Sequence, residues 1–251
     1  MLLAVNIGNS NMRFGVFLPD GEINSWIIHS KPSRTEDEFI NGFDSMYESF
    51  GFQKNDITGI VIGSVVPALT LPVLNSLKKI HALEPVLVDR DSKAHIQHTS
   101  KQMGTDLFAN AVAAHEFYEG KKIIIDFGTA LTFTGIDETG KTMGVAIAPG
   151  IITALKSLVS ETAQLPDIEI KAPENTLGFD TVSCMQSGFV YGFLGMVEGM
   201  IARINQEVNA DCLVIATGGM SHLYAPLSEK IHVQDALHTL KGLAVLYHLN
   251  K

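Results

Sequence analysis

Cysteine is scarce in this chain, with only Cys184 and Cys212 among 251 residues. Two thiols outside any CxxC or CxxH pattern exclude a disulfide framework and a cysteine-built zinc site, and their apolar neighbours predict two reduced, buried side chains. Positive charge is also short: 18 Lys and Arg stand against 27 Asp and Glu, a net charge of −9. Such a balance excludes an extended surface for nucleic acid or an anionic membrane, because repulsion from phosphates goes uncompensated over a wide face. One bound nucleotide remains possible, since backbone N–H groups and a metal can hold phosphates locally. Long hydrophobic runs are missing as well. The best membrane candidate, Gly188 to Ile204, is too short and carries Glu198 near its centre. The opening Leu2-Leu3-Ala4-Val5 has no basic stretch or cleavage site beside it, so a signal peptide is not expected. The nine histidines are scattered, and the nearest pair, His95 and His98, lacks a carboxylate in ligand spacing.

What is present is an ordinary globular mixture, 46% hydrophobic and 18% charged. The first half reads as three strands (Leu2–Ile7, Arg13–Phe17 and Glu22–His29), then a helix from Thr35. Thr35 and Glu38 have capping-box spacing, Phe39, Phe43, Met46, Tyr47 and Phe50 share a face, and Gly51 supplies the stop. A buried-type strand at Ile57–Ile62, a helix to about Lys79, a short strand at Pro85–Val88 and a helix from about Asp106 to Glu119 follow. The second half restarts with strands at Lys122–Asp126, Leu131–Ile136 and Met143–Ala148. A long helix over about Thr181–Glu207, a strand at Cys212–Thr217 and a last helix from about Asp235 to Leu249 complete it.

The two halves match each other. Asn6 with Asp126, Gly8 with Gly128 and Gly15 with Gly135 stand 120 positions apart, which suggests a duplicated unit. A strand ending in Asp/Asn-x-Gly carries a short polar side chain at its tip, and the glycine permits close approach of a ligand to the backbone. Successive N–H groups in such a turn can cradle phosphate oxygens, and a pair of them facing across a cleft would grip a nucleotide tail from both sides. Two plain hairpins would explain the same residues. The glycines Gly188, Gly192, Gly195 and Gly199 share one face of the long helix at a cost of about 1 kcal/mol each. Close packing of that face would offset the cost, either within the chain or against a second copy.

Gly8-Asn9-Ser10, Gly104-Thr105-Asp106, Asp126-Phe127-Gly128-Thr129-Ala130-Leu131-Thr132 and Ala148-Pro149-Gly150 occur in the order seen in type III pantothenate kinases. Leu165-Pro166, Gly178-Phe179-Asp180-Thr181 and Gln186-Ser187-Gly188 continue that order, so the chain resembles this family over nearly its whole length. The resemblance implies an α/β fold of two ribonuclease-H-like (actin-like ATPase) domains with mixed central sheets flanked by helices, drawn here at 1–118 and 119–251. It implies ATP-dependent phosphorylation of pantothenate to 4'-phosphopantothenate, the first step of coenzyme A biosynthesis, in a cytoplasmic homodimer. Mg²⁺ and a monovalent cation, K⁺ or NH₄⁺, are the implied ions.

Carried over by position, Asp106 is the general base for the substrate hydroxyl, although an acid there also suits the first turn of a helix. Gly104, Thr105, Asp106, the residue at 107 and Thr181 line the substrate, with Thr181 equally suited to capping its helix. Asp126 holds the monovalent cation, while Gly128, Thr129 and Thr132 meet ATP phosphates. Asn6, Gly8, Asn9, Ser10 and Arg13 form the other phosphate grip. The chain departs from the family pattern at three places. Asn6 replaces the usual Asp near Mg²⁺, and Leu107 replaces the usual Arg that anchors a substrate carboxylate. Gln97-His98-Thr99-Ser100 stands where an aromatic–Asn–Pro pattern is common. These departures leave two alternatives open: a kinase for a related small alcohol, or a catalytically degenerate homologue that binds nucleotide or metabolite in a regulatory role.

Overall fold

The computed structural model describes residues 1–97 and 103–251. His98, Thr99 and Ser100 lie outside the described residues, and with them the expectation of a His95–His98 pair and part of the 97–100 departure. The chain forms two compact units, Met1–Glu116 joined by His238–Lys251, and Phe117–Leu237. This division differs from the one drawn at 118/119: the last helix returns to the first unit.

The first unit contains β1 (Leu2–Ile7), β2 (Asn11–Phe17), β3 (Ile23–His29), α1 (Glu36–Phe50), β4 (Gly59–Ser64), α2 (Pro67–His81), β5 (Val86–Val88) and α3 (Thr105–Phe117). Its sheet runs β3-β2-β1-β4-β5, with β1–β2 and β2–β3 antiparallel and β1–β4 and β4–β5 parallel. β1 and β4 lie inside the sheet and are buried on both faces, so they are continuous apolar runs rather than alternating ones. α1 starts where the capping box places it: Glu38 N–H donates to Thr35 Oγ1 (3.3 Å) and Thr35 N–H donates to Glu38 Oε2 (2.7 Å). Gly51, at φ 72°, closes it. Its apolar face meets the sheet through aromatic contacts, Phe14 stacking on Trp26 at 5.2 Å with Phe43 edge-on to Phe14.

The second unit contains β6 (Lys122–Phe127), β7 (Ala130–Ile136), β8 (Thr142–Pro149), α4 (Ile151–Ser160), α5 (Thr181–Ser187), α6 (Phe193–Val208), β9 (Leu213–Thr217), α7 (Ser221–Tyr224) and β10 (Val233–Gln234); α8 (His238–Asn250) belongs to the first unit. Its sheet runs β10-β9-β6-β7-β8, the same arrangement of an antiparallel hairpin edge and parallel inner strands. Ile123, Ile125, Phe127, Leu131, Phe133, Val214 and Ala216 on one face pack with Leu155 of α4 and Val197 and Ile201 of α6. The long helix expected from Thr181 is continuous, but Gly188–Gly192 takes a π turn between α5 and α6. There the buried Tyr224 hydroxyl donates to the Phe189 carbonyl at 2.9 Å, a bond from outside the helix where the helical ladder changes step.

α8 packs on β1 and β4 with almost no clearance. A Cβ on Gly242 would overlap the Ala109 backbone of α3, and one on Gly59 would overlap the Tyr247 hydroxyl. Sequence separation hides this docking, since only the folded chain brings residue 242 against residue 109. Among the described residues no helix is long and apolar enough to cross a membrane.

One contact in the first unit makes stability depend on pH. His81 Nδ1 lies 3.0 Å from the Lys54 carbonyl, which only accepts, so Nδ1 carries the proton and Nε2 accepts from the Tyr47 hydroxyl at 2.9 Å. Burial, more than the opposing carbonyl bond, lowers the His81 pKa, with the Lys54 charge lowering it further and Asp44 raising it. The folded state therefore binds this proton less readily than the unfolded chain, so the contribution is complete above the ordinary histidine value and is lost as pH falls below it. Chemical denaturation followed from about pH 7.5 down to about pH 5 should show stability falling below about pH 6.5. His81→Gln, which still accepts from Tyr47 but does not titrate, should flatten that part of the profile. A wild-type profile that instead loses stability on raising pH through this window contradicts the assignment.

Candidate active site

In the first unit the candidate residues collect at the C-terminal ends of β1 and β4. Asn6 sits across from Arg13 on β2 and beside Gly63 on β4. The turn that follows is closed by Gly8 N–H donating to the Asn11 carbonyl (3.0 Å), and a Cβ on Gly8 would crowd the same oxygen at 3.0 Å. Asn9 and Ser10 at the tip are exposed. Thr105, at the start of α3, lies next to the end of β4: a Cβ on Gly63 would be 3.6 Å from its Oγ1. That hydroxyl is buried and has no hydrogen-bond partner among the described residues.

Asp106 is half-buried in the first turn of α3. Its Oδ1 accepts from Leu107 N–H at 2.8 Å, and Gly104 makes room for it, because a Cβ there would stand 2.6 Å from that oxygen. Burial raises the Asp106 pKa above the ordinary carboxylate value, against the Leu107 and Asp106 backbone N–H groups that pull it down. A carboxylate held this way is a stronger base than a solvated one, which suits proton abstraction from an alcohol. Leu107 contributes its backbone N–H to this site and an apolar side chain.

In the second unit Asp126 and Phe127 end β6, Gly128 N–H donates to the Ala130 carbonyl (3.2 Å), and Thr132 stands across from Asp126 on β7. The sequence match between halves holds for Asn6 with Asp126 and Gly8 with Gly128 but fails beyond the turn. Leu3 pairs with Val16 and Ile123 with Gly135, so the first turn is one residue longer and Gly135 occupies the place of Val16, not of Gly15.

Two further glycines complete the second-unit site. Gly218, at φ 89°, ends β9 so close to Asp126 that a Cβ would lie 2.5 Å from its Oδ1 and 2.6 Å from the Phe127 nitrogen. A Cβ on Gly150 would overlap the carbonyl oxygens of Gly128 and Thr129. Gly150 N–H and the Thr153 hydroxyl, both from the start of α4, donate to the Thr129 carbonyl at 3.1 and 2.7 Å. Sequence reading missed Gly218-Gly219 and α4. The signal for the former was a third apolar strand running into glycine, Leu213–Thr217 then Gly218.

The tip of β6 fits a monovalent cation: beside the Asp126 carboxylate, the Thr132 hydroxyl across the pair is buried and has no partner among the described residues. Among the described residues no cluster of three His, Cys, Asp or Glu is placed to hold a metal. At the end of β1 the neutral Asn6 amide fits a hydrated Mg²⁺ less well than a carboxylate would. Thr181 is exposed at the start of α5, and the cap is Asp180, whose Oδ1 accepts from Ser183 N–H at 2.9 Å, so Thr181 is not used for capping. Cys184 is exposed rather than buried, because it lies on the outer side of α5, whereas Cys212 is buried as expected. Gly188, Gly192, Gly195 and Gly199 are exposed, and a Cβ on any of them would meet nothing within 4 Å among the described residues, so packing among those residues does not explain the seam.

A family model described as type III pantothenate kinase matches residues 2–203. The type III pantothenate kinase of Finegoldia magna is 39% identical over 257 residues, covering 100% of this chain and 98% of that protein. That of Moorella thermoacetica is 36% identical over 253 residues, covering 100% of both. Among solved structures, a ROK family glucokinase from Streptomyces griseus in complex with glucose and AMPPNP superposes with a TM-score of 0.56 at 13% identity, covering 98% of this chain and 99% of that one. The activator of 2-hydroxyisocaproyl-CoA dehydratase from Clostridium difficile with bound ADPNP gives 0.53 at 11% identity, covering 98% and 93%. These two likenesses bear on the fold alone.

The clearance at Gly218 can be tested directly. Gly218→Ala should lower unfolding stability by about 1–3 kcal/mol and weaken ADP binding at least roughly tenfold by displacing Asp126 and the Phe127 backbone. Gly219→Ala, whose Cβ would meet nothing within 4 Å, should change neither by much. Calorimetric titration and thermal unfolding of both variants check this, and equal effects would contradict a specific clearance.

Proposed function

This chain belongs to the type III pantothenate kinase family, and we propose that it transfers the γ-phosphoryl group of ATP to the primary hydroxyl of pantothenate in the cytoplasm. The observation that carries the reading is Asp106, a half-buried carboxylate of raised pKa at the start of α3, within a chain matched end to end by kinases of that name. Phosphoryl transfer needs an aligned nucleophile and neutralised charge more than covalent chemistry, so one basic carboxylate and a set of phosphate donors suffice.

Asp106 takes the proton of the attacking hydroxyl. Gly104 and Thr105 position it, and Thr181 meets the substrate. The turns at Gly8-Asn9-Ser10 and Gly128-Thr129 present N–H groups and hydroxyls to phosphate oxygens, which suits a chain with a net charge of −9. Asp126 and Thr132 would hold the K⁺ or NH₄⁺, Asn6 would face the water shell of Mg²⁺, which would supply charge neutralisation of the phosphates, and Arg13 would add positive charge there. The exposed glycine face of α5 and α6, with exposed Phe179, Val182 and Met196 on the same stretch, supports a homodimer built on this helix.

Leu107 is the observation that favours a different alcohol, one without a carboxylate, and Asn6 the one that favours a nucleotide-binding regulator. A coupled assay of ADP release with Mg²⁺, K⁺ and ATP separates them. Pantothenate should stimulate turnover, and Asp106→Asn should lower kcat by about 10²–10⁴ while leaving ATP affinity within a few-fold. Asn6→Asp with Leu107→Arg should raise kcat/KM for pantothenate roughly ten- to a hundredfold. ATP binding without turnover in any of these forms would point to the regulator.

The dimer has its own test. Sedimentation should give twice 27.2 kDa for the wild type, and Gly195→Phe, which fills the seam on an exposed face, should give the monomer with its fold intact. A monomeric wild type would remove the homodimer from the proposal.

A further inference from the structure

The hydrogen bonds behind the first-unit turn identify a residue outside the motifs. Ser30, just past β3, is 3% exposed, and its hydroxyl donates to the Gly8 carbonyl at 2.6 Å while its backbone N–H donates to the Ser10 carbonyl at 2.9 Å. A trans peptide is planar, so its C=O and N–H point in opposite directions. Holding the Gly8 carbonyl on the β3 side therefore aims the Asn9 N–H away from β3, to the open side of the turn. Beside glycine a peptide flip is sterically cheap, and a flipped Gly8–Asn9 peptide would offer an anion an acceptor in place of a donor.

We propose that Ser30 is a positioning residue: its hydroxyl locks the Gly8–Asn9 peptide with the N–H outward, in the orientation that receives a nucleotide phosphate. The inference rests on the reading of this turn as a phosphate grip. In the second unit the next peptide along, Thr129–Ala130, is the one held, the Thr153 hydroxyl and Gly150 N–H both donating to the Thr129 carbonyl. Its lock is doubled on one carbonyl, so losing the Thr153 hydroxyl leaves the Gly150 bond in place. The Gly8 carbonyl receives the Ser30 hydroxyl, and losing that leaves the backbone bond at Ser10 to keep the fold.

Calorimetric titration of a non-hydrolysable ATP analogue with Mg²⁺ into Ser30→Ala, Ser30→Thr and Thr153→Val tests this without requiring turnover. Ser30→Ala should bind the analogue roughly three- to tenfold more weakly. Ser30→Thr, which keeps the hydroxyl, should restore most of the affinity, and Thr153→Val should lose less than Ser30→Ala. In the coupled assay the KM for ATP should rise with little change in the KM for pantothenate. Unchanged analogue affinity in Ser30→Ala, or parallel rises in both KM values that track lost thermal stability, would overturn the positioning role. A wild type that binds the analogue but does not turn over would sink the kinase reading and leave this comparison intact. A wild type that does not bind the analogue would overturn both.

Discussion

A strand-tip turn can serve as a phosphate site only if its peptide groups face one way, and on the proposed reading that constraint governs the ends of β1 and β6. Glycine at Gly8 and Gly128 lets the backbone bend tightly, but the same freedom allows a peptide to turn over. The structure offsets it by holding carbonyls from behind, with Ser30 on Gly8 and Ser10 in one unit and Gly150 with Thr153 on Thr129 in the other. Those bonds in turn require close approach. Gly150 can donate to Thr129 only because it has no Cβ to strike the turn, and Gly218 lies against Asp126 for the same reason.

The charge pattern fits such a design. On the proposed reading, a chain of net charge −9 would hold phosphate by N–H dipoles and bound cations rather than by a basic face. That places weight on the few charged groups in each site. Asp126, with the buried Thr132 hydroxyl across the pair, offers carboxylate and hydroxyl oxygens in the second unit, while the first unit has an amide at Asn6. Against the pattern the resemblance implies, Asn6 carries less negative charge than an Asp at the end of β1, and Leu107 no cation at the start of α3.

Local features were the legible ones. Thr35, Glu38 and Gly51 delimit α1 through bonds within a few residues, and the apolar runs of β1, β4 and β6 mark inner strands because burial on both faces leaves no polar positions. The duplicated turn was visible at Asn6/Asp126 and Gly8/Gly128, but the apparent third match at Gly15 and Gly135 was not, since one extra residue in a turn shifts the register without leaving a mark in composition. Ser30 could not be found from sequence: it lies 22 residues from Gly8 and reaches it only through β2–β3 pairing. The return of α8 to the first unit was hidden for the same reason, its evidence being the missing Cβ of Gly242 against Ala109. The exposed glycine face running from Gly188 to Gly199 was legible as a seam, and among the described residues nothing fills it.

Backbone amide exchange with and without an ATP analogue and Mg²⁺ is the most direct measurement of whether both turns serve one function. Exchange should slow together in segments 6–12 and 126–132, with the Asn9 and Thr129 turns among the protected positions. Protection confined to one of the two segments, or absent from both while the analogue is bound, would contradict the paired phosphate grip.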